Sequence, residues 1–177
     1  MKKILLLSDT HAHFDDSIER YLEGCDEIWH AGDIGSMSVV NRLSQFAALR
    51  AVHGNIDDMV LRHEFPKFQV FQCEGVAVFM THIGCFPGKY SSDAYQQMVA
   101  SGFLQRPEKV KLFVCGHSHI LRVMYDKHFG FLTLNPGAAG LQGFHQVRTL
   151  LRFSLSEGSI SDLDVINIPR VFNPENP

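Results

Sequence analysis

The chain has 177 residues, close to the roughly 150 of an average domain, so one domain with a short tail is expected. Hydrophobic residues make up 45% and charged residues 20%, the balance of a globular protein that buries a core without disulfide staples. A formal net charge of −3 argues against a nucleic-acid coat or an anionic membrane surface as partner.

Met1-Lys2-Lys3 opens like a secretory signal, but the apolar run at 4–7 is far short of the roughly 7–15 residues such a signal needs. No run approaches the roughly 18 residues of a membrane-spanning helix. Cys25, Cys73, Cys85 and Cys115 form no C-x-x-C pair, which argues against a zinc ribbon or a thioredoxin-type motif, and a reducing cytoplasm is the expected location. Strand-length apolar runs recur at 3–7, 27–30, 49–52, 68–73, 76–81, 112–115, 121–125, 131–134, 149–155 and 160–168. Helical patterns fall at about 15–21, 36–47 and 91–100. Glu74-Gly75, the 127–130 segment and Glu157-Gly158 carry hairpin-turn residues. The order is βαβαβ and then mostly antiparallel β, which predicts an α/β fold of two packed sheets with helices outside. Residues 1–168 form the expected domain and 169–177 a flexible tail.

Ten histidines in a chain with four tyrosines and one tryptophan are out of proportion, and histidine is the commonest metal ligand. They are not scattered. The apolar run before Ser8 ends in Asp9-Thr10-His11, and the run at 27–31 ends in Gly32-Asp33. The next ends in Gly54-Asn55, another in His82, and another in Gly116-His117-Ser118-His119. Ligand sites of α/β sheets assemble at the C-terminal ends of strands, where loops converge on a rigid frame. Asp9 and His11, like His117 and His119, are two apart, so extended backbone turns both side chains the same way.

Seven groups, Asp9, His11, Asp33, Asn55, His82, His117 and His119, are too many for one tetrahedral ion and suit two ions bridged by a carboxylate. Mixed oxygen and imidazole donors without thiolate point to Mn, Fe, Ni, Zn or Co, with Mn preferred. Two divalent ions less two carboxylates leave a local charge of +2, suited to an anion such as phosphate.

D-x-H, G-D, G-N, an isolated H after a strand and G-H-x-H, in that order, resemble the calcineurin-like metallophosphoesterase superfamily. The short chain and Asn135-Pro136-Gly137 resemble its small YfcE-like phosphodiesterase subgroup, and the likeness spans about 1–168. The resemblance implies an α/β-β/α sandwich of two mixed sheets flanked by helices. It implies one ion held by Asp9, His11, Asp33 and His119 and another by Asp33, Asn55, His82 and His117, with Asp33 shared. It also implies hydrolysis of a phosphodiester by a metal-bridging hydroxide, with no protein nucleophile. Many family members have His where Ile56 follows Asn55, and Ser where Ala138 stands, so neither of those polar groups is present here.

Around this set, His13, His145 and Arg148 are candidate substrate contacts, and His53 is a candidate second-layer residue behind the ligands. Lys89 and Tyr90 could frame a substrate, although Pro87 and Gly88 first indicate a turn. Asp57 and Asp58 read as turn or helix-cap residues, His30 as structural, and His63 and His128 as surface residues. The expected partner is a small phosphate ester, with no membrane and no strong nucleic-acid signal, and a homo-oligomer is left open. The competing reading is a metal-binding or protein-interaction scaffold on the same fold.

Overall fold

The computed structural model describes residues 1–170. Its first half alternates strand and helix: β1 (Lys2–Leu7), α1 (Asp16–Glu19), β2 (Glu27–His30), α2 (Met37–Leu43), β3 (Ala48–Ala51) and α3 (Met59–Glu64). A hairpin follows, β4 (Phe68–Cys73) and β5 (Val76–Thr81), then a small ribbon, β6 (Cys85–Phe86) and β7 (Lys89–Tyr90), and α4 (Ser92–Ala100). The chain ends in β8 (Lys111–Val114), β9 (Leu121–Asp126), β10 (Phe131–Pro136), β11 (Val147–Ser156) and β12 (Ser159–Pro169).

Two five-stranded sheets result, ordered β12-β11-β1-β2-β3 and β4-β5-β8-β10-β9. The alternation of β1 shows how they stack. Ile4 and Leu6 point into a core shared with Val78, Met80 and Val114 of the second sheet. Leu5 and Leu7 point the other way, against Ile18, Val39 and Leu43 from the helical layer. β5 behaves likewise: Ala77 and Phe79 pack outward on Ala94 and Met98 of α4. A strand covered on both faces has no polar face to show, which is why these runs are continuously apolar. The layers are helix, sheet, sheet, helix, the expected sandwich.

The β4–β5 and β11–β12 turns use paired positive φ, at Glu74 (49°) with Gly75 (79°) and at Glu157 (48°) with Gly158 (73°), the geometry that matches strand twist. The second sheet departs from the expected antiparallel order at its centre, where β8 pairs parallel with both β5 and β10. The α4 crossover returns the chain to the same end of the sheet, so β5, β8 and β10 all end on one side. α3 was not expected as a helix; Asp58 caps it by accepting from Leu61 N–H at 3.0 Å. β12 runs to Pro169, paired with Val147, so the expected tail boundary falls inside a strand. Arg170 donates to the carbonyls of Gly143 and His145 at 2.8 and 2.6 Å. The rest of that tail, 171–177, lies outside the described residues. No helix among the described residues is long and apolar enough to cross a membrane. All four cysteines are free, with Cys73 and Cys115 buried.

Buried Glu27 joins the three parallel strands of the first sheet. It accepts from Lys2 on β1, from Arg50 Nε on β3 at 2.7 Å, and from Trp29 Nε1 at 3.1 Å. Burial works to raise its pKa, but the bonds from Arg50, Lys2 and Trp29 prevail and lower it from 4.5 to about 2. A carboxylate depressed on folding contributes stability that is complete above its unfolded pKa and is lost as pH falls through the folded one. Glu27→Gln should therefore flatten the acid limb of stability between pH 4.5 and about 2. Urea unfolding followed by fluorescence of Trp29, the single tryptophan, reads this, and an unchanged slope would place the acid sensitivity elsewhere.

Candidate metal centre

The loop after β1 leaves its strand yet keeps pairing in parallel with the loop after β2. Asp9 N–H donates to Gly32 O and His11 N–H to Asp33 O, both at 3.0 Å, and Ala12 N–H to Ile34 O at 2.8 Å. Within this frame Asp9, His11 and Asp33 take positive φ, at 55°, 48° and 54°, and His117 and His119 do the same at 68° and 56°. Left-handed backbone costs a residue with a Cβ on the order of 1–3 kcal/mol, and such strain concentrates at functional sites. Here it turns five of the seven candidate ligands inward from strand ends. Glycine makes the necessary room: a Cβ on Gly54 would lie 2.0 Å from Asp33 Oδ1, and one on Gly32 would lie 2.7 Å from the His82 ring.

The result is two adjoining groups. Asp9, His11 and His119 offer donor atoms within 4.8 Å of one another, and so do Asp33, His82 and His117. Asp33 reaches toward both, with Oδ1 3.2 Å from His82 Nε2 and Oδ2 3.7 Å from His11 Nε2. His82 Nδ1 donates to Ala31 O at 2.8 Å, so in the neutral ring Nε2 carries only a lone pair. That lone pair faces Asp33 Oδ1 and, at 3.1 Å, Asn55 Oδ1. Electron-pair donors converge there, and only a cation, a proton or a metal ion, reconciles them. In the other group, Asp9 Oδ1 and His11 Nε2 are buried without a hydrogen-bond partner, although His119 Nε2 stands 3.1 Å from that oxygen. Orphaned buried polar atoms are rare, and a cation would satisfy both of these. The donor set therefore fits divalent ions.

The electrostatics of the protein groups agree. Burial acts to lower the pKa of His82, but Asp33 and Asp9 raise it above its ordinary value. His119 is raised first by Asp9. Burial opposes ionisation of Asp33, yet His82 and the Ile56 N–H bring it to about 2. Asp33 is held ionised, and the imidazoles of His82 and His119 are drawn toward a positive charge. His30 is the contrast. Burial lowers it to about 4, Nδ1 accepts from Gly32 N–H at 3.2 Å, and Nε2–H donates to Thr10 Oγ1 at 2.9 Å. It is a neutral strut beneath the site.

The outer candidates divide. Arg148 is a correction: it is buried, not turned to a substrate. Its guanidinium grips both oxygens of Asp15 at 2.9 and 3.1 Å and donates to Ala139 O at 2.6 Å. His13 is bound to the same Asp15 at 2.9 Å, so both side chains belong to a brace between the His11 loop and β11. His145 stays near the cluster: Nε2 donates to Gly140 O at 3.0 Å, its ring meets His119 edge-on at 5.4 Å, and Nδ1 is buried without a partner. Tyr90 is another correction, because it donates to Asp126 at 2.6 Å and packs among Phe113 and Phe131 in the outer core. His53 flanks the Asn55 loop with Nδ1 donating to Gly54 O at 3.1 Å, while His63 and His128 are exposed. Asn135 holds the G-H-x-H loop, donating to Gly116 O at 2.9 Å and Ser118 Oγ at 3.1 Å.

A family model described as the calcineurin-like phosphoesterase superfamily domain matches residues 1–158. A probable metallophosphoesterase of Mycoplasma pneumoniae is 30% identical over 177 residues, covering 96% of this chain and 99% of its own. Two solved structures share the fold. YfcE, a phosphoesterase from E. coli, aligns with a TM-score of 0.57 and 21% identity over 92% of this chain and 98% of that one. Vps29 of Entamoeba histolytica in complex with Zn aligns with a TM-score of 0.60 and 16% identity over 93% and 98%.

Asp57 is the supporting residue whose role the chain order hid. Its buried carboxylate accepts from Gly35 N–H and Gly54 N–H, both at 2.7 Å, tying the Asp33 loop to the Asn55 loop. Asp57→Ala leaves two backbone donors without their acceptor, and a loss of about 2–5 kcal/mol is expected in urea unfolding of the metal-free chain. A loss under about 1 kcal/mol would show that the loops hold together without it.

Proposed function

Because this chain belongs to the calcineurin-like phosphoesterase superfamily, we propose that it is a dinuclear metal-dependent phosphodiesterase. The observation that carries the reading is the pair of adjoining donor groups with Asp33 facing both. Asp9, His11, Asp33 and His119 would hold one ion, and Asp33, Asn55, His82 and His117 the other. When bound, such ions supply Lewis-acid activation of water and clamp the phosphoryl oxygens, and the mixed oxygen and imidazole set admits Mn, Fe, Ni, Zn or Co.

The chain's own groups do the rest. The Ala31 carbonyl fixes the His82 tautomer so that Nε2 faces the cluster, the arrangement in which an outer acceptor orients a ligand imidazole. Gly116 N–H donates to His82 O and His117 N–H to Asp9 Oδ2, both at 3.0 Å, and these bonds set the loop that carries His117 and His119. Asn55 and His117 are exposed while Asp9, Asp33 and His82 are buried, so a phosphate ester can approach from one open side. Two carboxylates against two divalent ions leave a positive site for that anion. Ile56 beside Asn55 is exposed and offers no proton, so nothing at that position assists a poor leaving group. The competing scaffold reading draws on the Vps29 likeness; retention of all seven donor positions favours the enzyme.

Two outcomes test this. With Mn, Ni or Zn bound, the chain should hydrolyse bis-p-nitrophenyl phosphate faster than p-nitrophenyl phosphate. Chelation should cut the rate at least about 100-fold, since metal stabilisation of transition-state charge is worth several kcal/mol. No turnover of either ester with metal bound would leave the scaffold reading. Asp33→Ala should reduce bound metal, measured by elemental analysis, from two ions per chain to fewer than one, and retention of two would contradict a shared ligand.

A further inference from the structure

A cavity of about 360 Å³ adjoins the donor cluster, with Asn55 and His82 forming one end of its wall. That volume lies within the roughly 300–1,000 Å³ of small-molecule sites. We infer that this cavity seats the nucleoside half of a nucleotide phosphodiester. The inference rests on the phosphodiesterase reading of the adjoining site and adds to it the class of substrate.

Strand register builds the cavity. β4 pairs antiparallel with β5 so that Phe68 lies opposite Thr81, the residue before His82. The Phe68 ring is half-buried, backed by Phe79 at 6.0 Å, and lines the cavity together with Ile83, which is 37% exposed. Exposed Lys67 rests its ammonium 5.3 Å from the Phe68 ring centroid, a cation–π contact that a stacked base can replace. Ser92, Asp93 and His53 supply hydroxyl, carboxylate and imidazole around this apolar floor.

An aromatic platform inside a rim of donors and acceptors suits a planar heterocycle with polar edges, because every base offers a π-face to stack. A second phosphate group suits it less. The two cations of the wall are already committed. Arg62 donates to the carbonyls of Asp57, Gly54 and Asn55 at 2.7, 3.1 and 2.9 Å, and Lys67 pairs with Asp93 at 2.5 Å. The Asp93 carboxylate would also repel a further anion. An aliphatic alcohol has no π-face to stack on the Phe68 ring.

Calorimetric titration of the Mn-loaded chain with AMP and with ribose 5-phosphate isolates the base, since both carry the same sugar and phosphate. AMP should bind at least about tenfold more tightly, the effect of one stacked base. Phe68→Ala should bring the two ligands within about threefold. Ser92→Trp, at an exposed position in the first turn of α4, should do the same by filling the cavity, and it keeps the test decisive if Phe68→Ala does not fold. Equal affinity in the unaltered chain, or an AMP preference that survives in folded forms of both variants, would overturn the inference. Failure of the two readings is separable. An AMP preference without hydrolysis of any diester would support the cavity and count against the enzyme. Hydrolysis without an AMP preference would do the reverse.

Discussion

Two carboxylates, Asp9 and Asp33, are buried together where the ends of two sheets meet, and the surrounding structure is arranged about that constraint. Burying an ionised carboxylate is costly unless opposite charge and hydrogen bonds compensate it. The backbone N–H of His117 reaches Asp9 Oδ2 and that of Ile56 reaches Asp33 Oδ1; the His82 imidazole approaches the same Asp33 oxygen, and the His119 imidazole approaches Asp9 Oδ1. The compensation from the protein alone is incomplete, since Asp9 Oδ1 has no hydrogen-bond partner. A site with this deficit suits cations.

Rigid elements carry the strain. Each inward-turned candidate ligand follows a strand buried on both faces, so the left-handed residues are anchored by sheet hydrogen bonds on one side and loop pairings on the other. Asp57 ties the second loop to the third, Asn135 holds the fifth, and the Asp15–Arg148 pair braces the first against β11. Burial opposes ionisation of Asp15, but Arg148 and its neighbours hold it well below the usual carboxylate range. These braces are polar groups that make no contact with a proposed ion, yet they set where the ligand atoms point. Positioning of this kind is what gives a metal site its geometry.

The legible parts were those written in local pattern. Apolar runs marked nearly every strand, paired turn residues marked the β4–β5 and β11–β12 hairpins, and Asp, Asn or His after five runs marked the loops that converge. The missed or misplaced parts had no local signature. α3 is one short turn-and-a-half with a single fully buried residue, Leu61, so it shows no apolar periodicity. Arg148 resembled a phosphate ligand because an arginine near small residues often is one; its partner Asp15 lies 133 positions away. Tyr90 sat in a Pro-Gly loop that looked open, and only the packing of the second sheet draws it inward. Asp57 looked like a cap because two glycine N–H groups from different loops cannot be seen from one stretch of chain.

The sequence by itself determined which side chains are available, their order along the chain, and that they follow buried strands, because hydrophobic alternation and chain order are local properties. Only the tertiary structure decided that β5 and β8 run parallel, so that His82 and the G-H-x-H loop arrive at the same edge as Asp9 and Asp33. It alone divided the donors into two groups with Asp33 between them, and placed Phe68 beside His82 through strand register. The physical reason is that direction and register are set by pairing between distant segments, which no window of neighbouring residues contains.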